Sequence, residues 1–149
     1  MRVDFYHLEN VSLDTALPQL LEKAYESGAH ILVKTDMADR ADYLNTLLWT
    51  YRPDSFLPHA VEKDGHSELQ PILITHKDSF NPNGATIVVL VDGVEVPLDG
   101  DFVRCLYFFD GRNPQALQAA REEWKRVSSA GCDRFYWQQN AQGHWENKG

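Results

Sequence analysis

Histidines, cysteines, serines and acids are the residues here that could do covalent or metal chemistry. The six histidines are His7, His30, His59, His66, His76 and His144. None forms HxH or HExxH. His59 and His66 flank Glu62 and Asp64, types that can hold a metal, but the spacing matches no known ligand set. A solvated charged loop explains the stretch better, and no metal is expected. Ser55, His59 and Asp64 can be drawn as a nucleophile, base and acid. No glycines surround the serine to make a nucleophile elbow, so no catalytic residue is assigned. Cys105 lies in the apolar run Cys105-Leu106-Tyr107-Phe108-Phe109, and Cys132 has no CxxC partner. Both read as inert thiols of a reducing compartment.

The more telling grouping is basic and aromatic. Trp124, Trp137 and Trp145, three of the four tryptophans, lie near the C-terminal end. Arg121 and Lys125 are one helical turn apart, beside Trp124. Arg126 and Arg134 add charge nearby. A positive cluster against an aromatic wall suits a carboxylate next to an apolar group, such as the end of an acidic peptide. An ordinary amphipathic helix, with Trp124 in the core and Arg121 paired to Glu122 or Glu123, explains the same residues equally well. A second grouping is Trp49 and Phe56, at the ends of a stiff loop with Pro53 and Pro58. Such aromatics are enriched at interfaces, although most large aromatics are buried.

The elements that must carry these residues follow from periodicity. Val3 to Leu8 reads as a strand. Ser12 precedes a helix with Leu13, Leu17, Leu20, Leu21, Ala24 and Tyr25 on one face, stopped by Gly28. Ile31-Leu32-Val33 is a buried strand. Asp36 is placed to cap a helix with Ala41, Leu44, Leu47 and Leu48 as its apolar stripe, ended by Pro53. Ile72-Leu73-Ile74, Thr86 to Val91 and Arg104 to Phe109 are further strands. Asn113-Pro114 starts a long helix that runs to about Ser129 and closes at Gly131. Its apolar face is Leu117, Ala120, Trp124 and Val127. Arg134 to Trp137 reads as a last strand before a polar tail with Trp145. Alternation of this kind predicts one α/β domain over residues 1–149. Its three layers are a central, largely parallel sheet with helices on both faces.

Composition narrows function further. The 149 residues suffice for one core without staples. A net charge of −8 argues against non-specific attraction to nucleic acid. The first strand-to-helix junction, Leu8-Glu9-Asn10-Val11-Ser12, has no glycine to close on a phosphate, and no Walker-type loop occurs. No nucleotide or other cofactor is expected there. The opening residues do not read as a signal peptide, and no segment approaches the roughly 20 apolar residues of a membrane span. A cytoplasmic protein without a membrane partner is expected.

Three segments also carry a resemblance. They are Asp4-Phe5-Tyr6-His7-Leu8, the run from Leu48-Trp49 through Phe56-Leu57-Pro58-His59, and Ala120-Arg121-Glu122-Glu123-Trp124-Lys125. They resemble the chi subunit family of bacterial DNA polymerase III, as does the tail Tyr136-Trp137-Gln138-Gln139 through Gly143-His144-Trp145. The resemblance implies a non-catalytic accessory protein of the replicase clamp-loader assembly. It implies binding to the acidic, phenylalanine-terminated tail of single-stranded DNA-binding protein through Arg121, Trp124 and Lys125, with tryptophan where tyrosine is familiar. It further implies an interface for the psi subunit, or another clamp-loader subunit, at Trp49 and Phe56. Two rivals remain at this point: a small α/β nucleotide-binding enzyme, and a direct single-stranded DNA binder stacking bases on Tyr136 and Trp137 beside Arg134.

Overall fold

The computed structural model describes residues 1–52, 54, 56–77, 81–98 and 100–149. Pro53, read as the end of a helix, and Ser55, the candidate nucleophile, lie outside them. Eight strands form one sheet: β1 (Arg2–Leu8), β2 (Ile31–Lys34), β3 (Ala60–Val61), β4 (Ile72–Thr75), β5 (Ile87–Leu90), β6 (Arg104–Asp110), β7 (Asp133–Gln139) and β8 (Trp145–Asn147). Their order is β3-β4-β2-β5-β6-β1-β7-β8. Every neighbouring pair is parallel except β7 and β8. Three helices complete the fold: α1 (Leu13–Glu26), α2 (Ala38–Thr50) and α3 (Pro114–Ser129).

Strand alternation sorts the core into two halves. Tyr6, Leu8, Ile31, Val33, Ile72, Ile74, Val89 and Phe108 point to one face, where α1 packs with Leu17 and Leu21 and α2 with Leu44 and Leu48. Val3, Phe5, Leu32, Leu73, Val88, Cys105, Tyr107 and Phe109 point to the other. There α3 contributes Ala120 and Val127, and Val96 and Phe102 cover the rest. Helices therefore lie on both faces, as the periodicity predicts. Buried on both sides, the central strands carry runs such as Ile31-Leu32-Val33 rather than a polar alternation.

The long helix follows its sequence signals at both ends. Asn113 accepts hydrogen bonds from the N–H groups of Gln115 (2.9 Å) and Ala116 (3.3 Å), and Pro114 fills the first turn. Such a cap contributes about 1 kcal/mol. Gly28 and Gly131 follow α1 and α3 with φ of +86° and +83°, which glycine adopts without strain. Three expectations need correction. The N-cap of α2 is Met37, with no side-chain cap, so Asp36 does not cap that helix. A short strand, β3, precedes Ile72–Thr75 and pairs with it. The strand at Arg134–Trp137 is not the last: β8, in the polar tail, turns back on β7, pairing Trp145 with Gln139 and Asn147 with Trp137.

Candidate functional site

Arg121, Trp124 and Lys125 project from one side of α3 around a cavity of about 360 Å³. Leu117, Ala120 and Phe109 give it apolar lining, and Tyr136 and His7 complete the wall beside Trp124. Trp124 is half-buried and held on several sides. Phe5 meets it edge-on at 5.2 Å between ring centroids, and Tyr136 at 5.8 Å. The Arg134 guanidinium lies 4.3 Å from its ring centre, while Arg134 Nη1 donates to Trp124 O at 2.9 Å. The indole is thus fixed before any ligand arrives.

The charges around it divide into used and unused. Glu123 is buried and turned away, accepting from Val96 N (2.9 Å) and from Arg126 Nη1 (3.0 Å). Glu122 accepts from Gln118 Nε2 at 3.3 Å. Arg121 and Lys125 are exposed and have no salt-bridge partner among the described residues. Pairing of Arg121 with Glu122 or Glu123, open from the sequence, is therefore not what forms. Arg126 and Arg134 belong to the scaffold rather than to the unpaired charge at the cavity.

Sequence reasoning missed His7 and Tyr136. His7 Nδ1 and Tyr136 Oη lie 2.5 Å apart, and Gln138 Nε2 reaches the same nitrogen at 3.2 Å. The imidazole fits because residue 111 is glycine: a Cβ there would stand 1.8 Å from His7 Nε2. Burial raises the Tyr136 phenol above its ordinary range, with Arg121 opposing the shift. Strand parity was the available signal, since His7 shares a face with Val3 and Phe5. What sequence could not give is that β1 lies beside β7, opposing Phe5 to Tyr136.

Trp49 and Phe56 come together elsewhere, at the end of α2 and the following loop. Their ring centroids are 5.8 Å apart, and the side chains remain 48% and 73% exposed. Neither plugs the core. His59 is the buried strut beneath them. Its ring lies 4.2 Å from that of Trp49, with Nδ1 2.6 Å from Leu57 O and Nε2 2.9 Å from Asn45 O. His59 is thereby committed to backbone, which removes it from the drawn metal and nucleophile groupings. No cluster of three or more potential metal ligands occurs among the described residues. Cys105 and Cys132 are free, and burial pushes the Cys105 thiol up.

The profile of the family described as DNA polymerase III chi subunit, HolC, matches residues 1–134. That stretch holds both aromatic sites except for Tyr136. The chain belongs to the DNA polymerase III chi subunit family. A curated relative, the probable DNA polymerase III subunit chi of Rickettsia prowazekii (strain Madrid E), is 33% identical over 91 residues. The matched stretch covers 61% of this chain and 54% of that protein, so it spans about half of the relative's length. Residues 135–149, with most of β7 and all of β8, lie beyond the stretch that matches the chi family profile. No helix of this chi-family chain, among the described residues, is long and apolar enough to cross a membrane.

Proposed function

We propose that this chain is a non-catalytic accessory subunit of the bacterial replicase. As one chi-like domain over residues 1–149, it links single-stranded DNA-binding protein to DNA polymerase III in the cytoplasm. The α3 cavity takes the acidic C-terminal tail of single-stranded DNA-binding protein. Arg121 meets the terminal carboxylate, Lys125 the acidic residues before it, and Trp124 the terminal ring. The Trp49–Phe56 surface takes the psi subunit or another clamp-loader subunit.

One observation carries the reading. Two unpaired cations stand beside a preformed aromatic-walled cavity on a protein of net charge −8. Such a protein does not hold DNA through its overall field, but it can hold the tail of a protein that does. A direct single-strand platform has less support. Tyr136 and Trp137 point to opposite faces of the sheet, Trp137 Nε1 donates to Asp4 Oδ1 at 2.8 Å, and Arg134 is spent on Trp124.

The test is a titration with a peptide copying an acidic tail that ends in phenylalanine. Arg121→Ala is expected to weaken binding about tenfold or more, the scale of a lost charge-assisted hydrogen bond. Binding equal to wild type sinks the assignment. Gel shift of single-stranded DNA by the purified chain at physiological salt is expected to show nothing.

A further inference from the structure

On the opposite face from the α3 cavity, running from the first residues of β1, β5 and β6 towards Trp137 of β7, lies a second cavity of about 340 Å³ under the last turn of α1. Its cations are Arg2, Lys23 and Arg104, and its aromatic walls are Trp137 and Trp145. Beneath it Asp4 is fully buried. Its carboxylate accepts from Arg2 Nη2 (2.9 Å), Arg104 Nε (2.8 Å) and Trp137 Nε1 (2.8 Å). One buried negative charge thus fixes two arginines whose side chains remain 43% and 37% exposed. No acidic side chain lines the cavity, and Lys23 has no salt-bridge partner among the described residues. Three cations against one carboxylate leave two positive charges unmatched.

The carbonyls ending α1 would repel an anion, but two are already engaged. Ser27 Oγ and Ser27 N donate to Ala24 O, and Gly28 N donates to Tyr25 O. The aromatic walls also lie outside the stretch that matches the family, since Trp137 and Trp145 follow residue 134. The cavity is therefore built partly by a segment beyond the profile-matched stretch.

We propose that this cavity binds a nucleoside monophosphate, with the phosphate on Arg2, Arg104 and Lys23 and the base against Trp137 and Trp145. A phosphate monoester carries close to two negative charges near neutral pH, which matches the unpaired charge, whereas one carboxylate neutralises half of it. Arginines in fixed orientation suit phosphate oxygens, and bases pack on aromatic walls. The glycine-free turn after β1 has no bearing here, because none of its residues lines this cavity. The site is independent of the α3 cavity.

The experiment titrates the isotope-labelled full chain with deoxyadenosine 5′-monophosphate and follows indole and backbone resonances by NMR. The resonances of Trp137, Trp145 and Lys23 are expected to shift saturably, and that of Trp124 to stay. Deoxyadenosine without its phosphate is expected to bind at least about tenfold more weakly. Lys23→Gln, on the helix surface, is expected to weaken binding at least about threefold, and Trp145→Ala at least about fivefold. Arg121→Ala is expected to bind the nucleotide as wild type does, which separates this site from tail binding. Absence of saturable shifts up to the millimolar range overturns the proposal. So does Lys23→Gln binding as tightly as wild type. A 5′-unphosphorylated single strand that binds more tightly than the monophosphate would replace the site with a nucleic-acid groove.

Discussion

Trp124 and Trp49 are the same residue type in opposite settings. Trp124 is one wall of a concavity, held by Phe5, Tyr136 and Arg134 before anything binds. Trp49 stands out of the surface with Phe56, resting on His59. On the proposed reading the first site receives a group and loses little freedom in doing so. On the same reading the second inserts into a partner that covers apolar area now exposed to water. The cavity's rim is charged, so it should respond to salt. The knob relies on apolar area, so it should respond to truncation.

The largest separation should come from Trp49→Ala. Capture of a clamp-loader partner is expected to be lost, by more than about 2 kcal/mol, as for a central interface aromatic. Tail-peptide binding should be unchanged and the melting temperature should fall by no more than a few degrees, because the indole is half exposed. Unfolding of the variant, read by circular dichroism, would instead make Trp49 part of the core.

The next effect bounds the conditions under which the two sites can be compared. Burial, and then Asp4, push the Tyr6 phenol from 10.0 up to about 12. A raised folded-state value favours the neutral phenol, so its contribution is intact below pH 10 and is lost as pH climbs towards 12. Roughly 2–3 kcal/mol is at stake. Denaturant midpoints measured across that window should fall, and Tyr6→Phe should flatten the fall. Both partners should then be lost together.

Gly111→Ala should break the symmetry the other way. A Cβ at 1.8 Å from His7 Nε2 drives the imidazole off the Tyr136 hydroxyl. About 1–3 kcal/mol of stability should be lost on thermal melting, the scale of an overpacked site. Tail-peptide affinity should drop in the folded protein while partner capture through Trp49 persists. An unchanged tail affinity would remove His7 and Tyr136 from the site.

The smallest effect should be salt. Raising sodium chloride from about 0.1 M to 1 M shortens the screening length from about 10 Å to 3 Å. Tail binding should weaken several-fold by fluorescence titration, and capture through Trp49 should hardly move. Equal sensitivity would mean that Arg52 and its neighbours, rather than the aromatic pair, hold the partner.

Local signals made α3 legible from end to end, because Asn113, Pro114 and Gly131 each act on their own neighbours. Arg121, Trp124 and Lys125 share a face by helical spacing alone, so their meeting was legible too. His7, Tyr136 and Arg134 were not. Their positions depend on β1 pairing with β7, and strand order leaves no mark in either strand. The short strands β3 and β8 were missed for a related reason: two or three residues give no period to read, and only their neighbours make them strands. Exposure of Trp49 and Phe56 was likewise undecidable, since an aromatic beside a proline-rich loop can close a core or leave it.

β1 lies between β6 and β7, so Arg2 waits for both Arg104 and Asp133 before its strand is enclosed. During synthesis on the ribosome, β2, α2, β3 and β4 can come together once Thr75 is made, with β4 between β3 and β2, while the first strand still lacks both neighbours. Trp49 is therefore presented early, and the wall that Tyr136 gives the α3 cavity comes last. Such long sequence separation slows closure and leaves Val3 and Phe5 exposed meanwhile. A nascent chain stalled before β7 should already display one docking surface and still lack the other.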